Sequence, residues 1–140
     1  MDSEDRRILE LLKEDSKRPV REIAEKLRMR PSTVHQRILK MVRDGVIERF
    51  TVKLDDERVG EDFIAFMFVK TSPSTRLGND VLRDGHVKEV FGLTGEYDLL
   101  LKMKFRGVKE FNDFVLDFRK DQKVVSTLTM VATAKVKEDI

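Results

Sequence analysis

At 140 residues, with 40% hydrophobic and 39% charged residues, the chain has room for one ordinary domain or two small ones of soluble, globular type. Cysteine is absent, which excludes disulfides and thiolate chemistry, and no stretch approaches the roughly 20 apolar residues of a membrane span. The net charge of +2 is unevenly placed: residues 1–53 carry +4, residues 54–140 carry −2, and five basic residues but no acid lie between Arg28 and Arg43. Such a basic segment beside an acidic remainder points to a polyanion-binding module. Met1 is followed by Asp2, Ser3, Glu4 and Asp5, the wrong charge for a secretory leader, so a cytoplasmic protein is expected.

Taken in chain order, Ser3 to Asp15 reads as a helix, with Ile8, Leu9, Leu11 and Leu12 at mostly helical spacing and acids at its start to suit the dipole. After Lys17-Arg18-Pro19, a short helix over Val20–Leu27 places Val20, Ile23, Ala24 and Leu27 at i, i+3, i+4 and i+7. Pro31 opens a third helix, which ends at Asp44-Gly45. Its Val34, Ile38, Met41 and Val42 fall on one arc, expected to face inward, and Ser32, Thr33, Gln36, Lys40 and Arg43 on the opposite one. Val46 to Leu54 alternates like a strand. The acidic 54–62 is expected to be a linker between domains 1–53 and 63–140.

Beyond it, Phe63 to Thr71 reads as a buried strand and Pro73 to Arg83 as a helix. Val87–Thr94 and Tyr97–Phe105 read as a hairpin turning at Gly95-Glu96, Gly107–Lys120 as a strong helix, and Val124–Lys137 as a long final strand. The order βαββαβ implies an antiparallel sheet with both helices on one face, the ferredoxin-like arrangement. The fold class expected is therefore α+β: a three-helix N-terminal domain and a C-terminal βαββαβ domain.

The lengths and the turn between the second and third helices are those of a helix-turn-helix, in which the last helix enters the major groove of DNA. Such a helix needs one buried face and one polar, acid-free face, because its partner is lined with phosphates. The candidate DNA-facing residues are Arg30, Pro31, Ser32, Thr33, His35, Gln36, Arg37, Lys40 and Arg43. Gln36 can pair bidentately with adenine, whereas Arg37, Lys40 and Arg43 can neutralise phosphates or read guanine. The competing reading of this charge pattern is a solvated helix face.

The runs Asp5-Arg6-Arg7-Ile8-Leu9-Glu10-Leu11-Leu12, Arg21-Glu22-Ile23-Ala24, Pro31-Ser32-Thr33-Val34, Asp44-Gly45-Val46-Ile47 and Gly95-Glu96-Tyr97-Asp98 together resemble the Lrp/AsnC (feast/famine) transcriptional regulators over nearly the whole chain. The resemblance implies a DNA-binding regulator whose RAM-type βαββαβ domains dimerise and often build octamers or larger rings. It also implies a free amino acid or related metabolite bound between dimers. Carried over by position, the effector candidates are Gly95, Tyr97 and Asp98, then Val108, Met130, Val131 and Ala132. Two positions depart from the family pattern: Arg28 stands where a turn glycine is usual and Arg30 where a serine cap is usual, so Ser32 is an alternative cap.

No cofactor or metal is expected: His35 and His86 lie in different domains and a zinc site needs about four ligands. No P-loop or G-x-S-x-G spacing appears, which argues against an enzyme. The alternative function is a metabolite-binding regulatory subunit that uses its helical domain for protein docking.

Overall fold

The computed structural model describes residues 1–73, 79–121 and 123–140. The chain divides into two compact units, Met1–Lys53 and Leu54–Ile140.

The first unit is three helices: α1 (Ser3–Glu14), α2 (Val20–Leu27) and α3 (Pro31–Arg43). Asp2 starts α1 through a reciprocal capping box, in which the Asp5 amide donates to Asp2 Oδ1 at 2.9 Å and the Asp2 amide to Asp5 Oδ2 at 3.1 Å. Ile8, Ile23, Ala24, Val34 and Met41 close the core. Removing such side chains from water is worth about 1.5–3 kcal/mol for each large one. Val42, expected to face inward, is 42% exposed. Gly45 stops α3 at φ +76°, and the Val46 amide turns back to the Met41 carbonyl at 2.8 Å. The alternating segment 46–54 is not a strand. Phe50, Val52 and Leu54 are exposed, and no strand of the same chain offers this segment a ladder among the described residues.

In the second unit, β1 (Phe63–Thr71), β2 (Val87–Gly92), β3 (Leu99–Phe105) and β4 (Val124–Val131) form one antiparallel sheet in the order β2-β3-β1-β4. The helices are α4 (Asn79–Arg83) and α5 (Val108–Arg119). Leu77 and Gly78 of the expected 73–83 helix lie outside the described residues. Ala65, Met67 and Val69 of β1 and Leu101, Met103 and Phe105 of β3 point to one face, where Phe111, Phe114, Val115 and Phe118 of α5 cover them. This is the expected βαββαβ fold.

The opposite face carries a row that crosses all four strands: Phe91, Leu100, Phe68 and Leu128 are successive cross-strand partners. A second row runs Glu89, Lys102, Phe66, Met130. Phe91, Leu128 and Met130 are exposed, whereas Phe66, Phe68 and Leu100 are half-buried. The hairpin turn is wider than expected. Residues 93–98 form a loop closed by the Leu93 amide donating to the Asp98 carbonyl at 2.7 Å, and β3 begins at Leu99. The last strand is shorter than expected. After the Ala132 amide donates to Ile64 at 2.9 Å, the remaining residues leave the ladder.

Candidate nucleic-acid interface and effector region

Burial of Val34 and Met41 fixes the roll of α3 and turns its other side outward. Pro31, Ser32, Thr33, His35, Gln36, Lys40 and Arg43 are all exposed there, beside the exposed Arg30 that precedes them. No acid lies on the helix, and Lys40 has no carboxylate partner among the described residues. Arg43 makes only a loose pair with Asp44 at 3.7 Å. Arg30 is the N-cap in extended backbone and Pro31 opens the helix, so Ser32 does not take over as cap. The turn before α3 demands a left-handed residue, and Arg28 supplies it at φ 55°, ψ 47°. That conformation is strained for a residue with a Cβ.

Arg37 departs from the expected DNA-facing set. Its Nη1 lies 2.7 Å from Asp2 and 3.0 Å from Asp5, and its Nη2 lies 2.7 Å from Glu4. The hydrogen bonds it donates to Asp2 and then to Asp5 hold the guanidinium more firmly charged than usual. The Asp2 carboxyl is correspondingly held down at about 2, first by the Asp5 amide and then by Arg37. Donors committed to three carboxylates are not on offer to phosphate. The sequence makes Arg37 one more cation on an acid-free helix, and nothing local announces that its partners sit 32–35 residues earlier. Arg18 has a similar bracing role: it bridges Glu14 at 3.1 Å and Glu22 at 3.0 Å, joining the ends of α1 and α2.

The seven effector candidates fall into two groups. Gly95, at φ +108°, Tyr97 and Asp98 sit in the 93–98 loop, beside the Val69–Thr71 end of β1. Val131 pairs with Ala65, Met130 with Phe66, and Ala132 donates to Ile64, all nearer the other end of β1. Four residues of strand, about 13 Å, separate Val69 from Ala65. Val108 opens α5 just after Phe105, which pairs with Phe63 at that far end. One copy of the chain therefore does not gather the seven residues into a single mouth.

Asp98 is also already engaged. Its Oδ2 accepts from the Thr71 amide at 2.7 Å and the Thr71 hydroxyl at 3.0 Å, which holds its carboxyl below the usual range. Through Oδ2 it fastens the loop to β1, while the residue itself stays exposed. Tyr97 packs on Phe68 with ring centroids 5.7 Å apart. A cavity of about 520 Å³ does exist in this unit, but it lies on the helical side, walled by His86, Glu110, Asp113, Phe114 and Asp117, and contains none of the seven.

Comparison with known proteins agrees over both units. Residues 1–42 match the AsnC-type helix-turn-helix domain and residues 64–140 the Lrp/AsnC ligand binding domain. An uncharacterized HTH-type transcriptional regulator of Pyrococcus furiosus is 40% identical, over 99% of this chain and 95% of its own. The HTH-type transcriptional regulator FL11 of Pyrococcus abyssi is 31% identical over 99% of this chain and 93% of its own. Among solved structures, the AsnC family transcriptional regulator of Agrobacterium tumefaciens superposes with a TM-score of 0.93 at 26% identity, covering 99% of this chain and 94% of that one. A transcriptional regulator of Neisseria meningitidis in complex with L-Met gives 0.93 at 25% identity over the same shares. Among the described residues, no helix is long and apolar enough to cross a membrane.

Proposed function

The chain belongs to the Lrp/AsnC family of transcriptional regulators, and from that premise we propose that it recognises specific DNA sequences as a dimer whose occupancy is tuned by an amino acid or related metabolite. The observation that carries this reading is the outward face of α3. Ser32, Thr33, Gln36, Lys40 and Arg43 stand exposed on a helix without a single acid, while Val34 and Met41 hold its other side in the core. Gln36 and the first-turn hydroxyls suit base edges, and Lys40, Arg43 and Arg30 suit phosphates. Arg37 is left out of this set and assigned to bracing α3 against α1.

The open face of the sheet supports dimerisation. The row Phe91, Leu100, Phe68, Leu128 and its neighbours Phe66 and Met130 offer a contiguous apolar surface of the kind that marks an interface. A two-fold dimer would present two copies of α3 to half-sites about one helical turn apart. The separation of the seven effector candidates fits a site assembled from more than one copy, and the L-Met complex of the Neisseria meningitidis regulator supports an amino acid as the class of ligand. Binding to DNA selected from a random pool tests the first part, and calorimetry with a panel of amino acids, with and without that DNA, tests the second. Failure to retain any sequence at roughly 50–100 mM salt, where several phosphate contacts should register, refutes the regulator reading.

A further inference from the structure

Lys102 and Lys104 sit on the open face of β3, opposite the core side chains Leu101, Met103 and Phe105, yet both are nearly buried. Two segments from outside the sheet cover them: the turn at 55–61 and the C-terminal tail beyond Ala132. An ammonium group so enclosed must be paired. Lys104 Nζ donates to both oxygens of Asp56, at 2.8 and 3.0 Å, and to Glu138 at 2.9 Å. Lys135 Nζ reaches Asp56 at 2.7 Å, and Lys102 pairs with Glu138. Burial opposes the charge on Asp56, but the hydrogen bonds of Lys104 and Lys135 outweigh it and keep its carboxyl below the ordinary range. The lysine Lys102, followed by Lys104, holds Glu138 down at about 2.

A buried ion network of this kind adds little net stability compared with apolar packing, so its significance lies in what it locates. Asp56 stands two residues after Leu54, where the second unit begins, and it is the first residue there with a buried side chain. The turn it heads is held by the Val59 amide on Asp55 at 3.1 Å and the Glu61 amide on Asp56 at 2.7 Å. Without the network, the next ties along the chain are the pair of Glu61 with Lys88 of β2, at 3.1 Å, and then β1.

We propose that Asp56, Lys104 and Glu138 are positioning residues for DNA binding, which fix the length of the tether between the two units and make that length depend on the C-terminal tail. This rests on the reading that two helix-turn-helix units of one dimer grip two half-sites. Moving the anchor from Asp56 to Glu61, which Lys88 holds at 3.1 Å, or on to β1 frees about five to seven residues, a flexible reach of roughly 12–15 Å. The effective concentration of the second unit at its half-site falls accordingly, while each unit's own grip is untouched.

The test uses the full chain and two full-length variants: Asp56→Asn, which removes the charge at the anchor itself, and Lys135→Gln with Glu138→Gln, which removes the tail's hold on Asp56 and Lys104. Hydrogen exchange at the Val59, Gly60 and Glu61 amides reports on the turn. Titration of DNA with one or with two half-sites, at several spacings, reports on the tether. Both variants are expected to exchange these amides at least ~10-fold faster. They should bind a single half-site within ~2-fold of the parent chain, bind paired half-sites ~10-fold more weakly, and discriminate less between spacings. Unchanged exchange overturns the network's hold on the turn. Faster exchange with unaltered paired-site affinity and spacing preference overturns its role in DNA binding. If the parent chain binds no DNA, the regulator reading fails and the tether's role with it, whereas the exchange result still decides whether the network holds the turn.

Discussion

Lys40 stands one helical turn beyond Gln36, and the two are expected to fail in different ways. Gln36→Ala should lose roughly 1–3 kcal/mol at the preferred site and relax base choice at one position, because a bidentate contact is removed. Lys40→Ala should weaken all sequences alike and lower the salt slope by about 1, which titrations over a salt series will measure. Arg37→Ala should instead lower the urea midpoint of the helical unit and leave base preference intact, since its three carboxylate partners all belong to the start of α1. Arg28→Gly relieves a left-handed residue at φ 55° and should stabilise the unit by about 0.5–1 kcal/mol in thermal melts, part of the relief being offset by the looser unfolded chain. The need for that conformation was legible in the sequence as a missing turn glycine. The duty of Arg37 was not, because charge and spacing are the same for a residue that meets phosphate and one that meets Asp2.

At the scale of elements, α2 and α3 were readable to the residue because a helix makes its own hydrogen bonds and needs only a stripe, such as Val20, Ile23, Ala24 and Leu27, to dock it. Strands carry no such guarantee. Segment 46–54 alternates as well as many strands do, but alternation requires a neighbour to become a ladder, and none lies in the same chain among the described residues. Likewise β4 ends at Val131 although Val136 continues the apolar pattern, because Lys135 and Glu138 are drawn to Asp56 and the β3 lysines. The entry to β2 is tied to α5 by His86, which lies 2.8 Å from Asp84 and 3.0 Å from Glu110 and stacks on Phe105. Burial disfavours its charge, but Glu110 and Asp84 together raise its pKa above the ordinary 6.5. The Arg106 amide and His86 lower that of Glu110 below 4.5. A raised histidine stabilises fully below its unfolded value and stops doing so as pH rises through its folded value; a lowered carboxylate does the reverse on acidification. The tie is therefore strongest between about pH 4.5 and 6.5. Urea denaturation over pH 5–8 should show stability falling above 6.5 in the parent chain, and a flatter profile in His86→Gln.

For the whole molecule, the open sheet face is the feature that solvent tolerates least. Leu128, 41% exposed at the β4 end of the apolar row, can be changed to Asp with little effect on the isolated fold. The substitution should nonetheless shift sedimentation toward monomer and reduce binding to paired half-sites more than to single ones. The two-unit plan was visible in the charge asymmetry and in the βαββαβ order. The closing of the Lys102–Lys104 end of the face was not, because its partners Asp56 and Glu138 lie 48 and 34 residues from Lys104.

That ionic cluster also has a temperature signature. Water solvates ions less favourably as it warms, so the desolvation that opposes an enclosed ammonium–carboxylate pair shrinks on heating. The turn at 55–61 is thus built to stiffen in relative terms while ordinary loops are loosening, and exchange at the Glu61 amide should climb less steeply with heat than exchange in exposed loops.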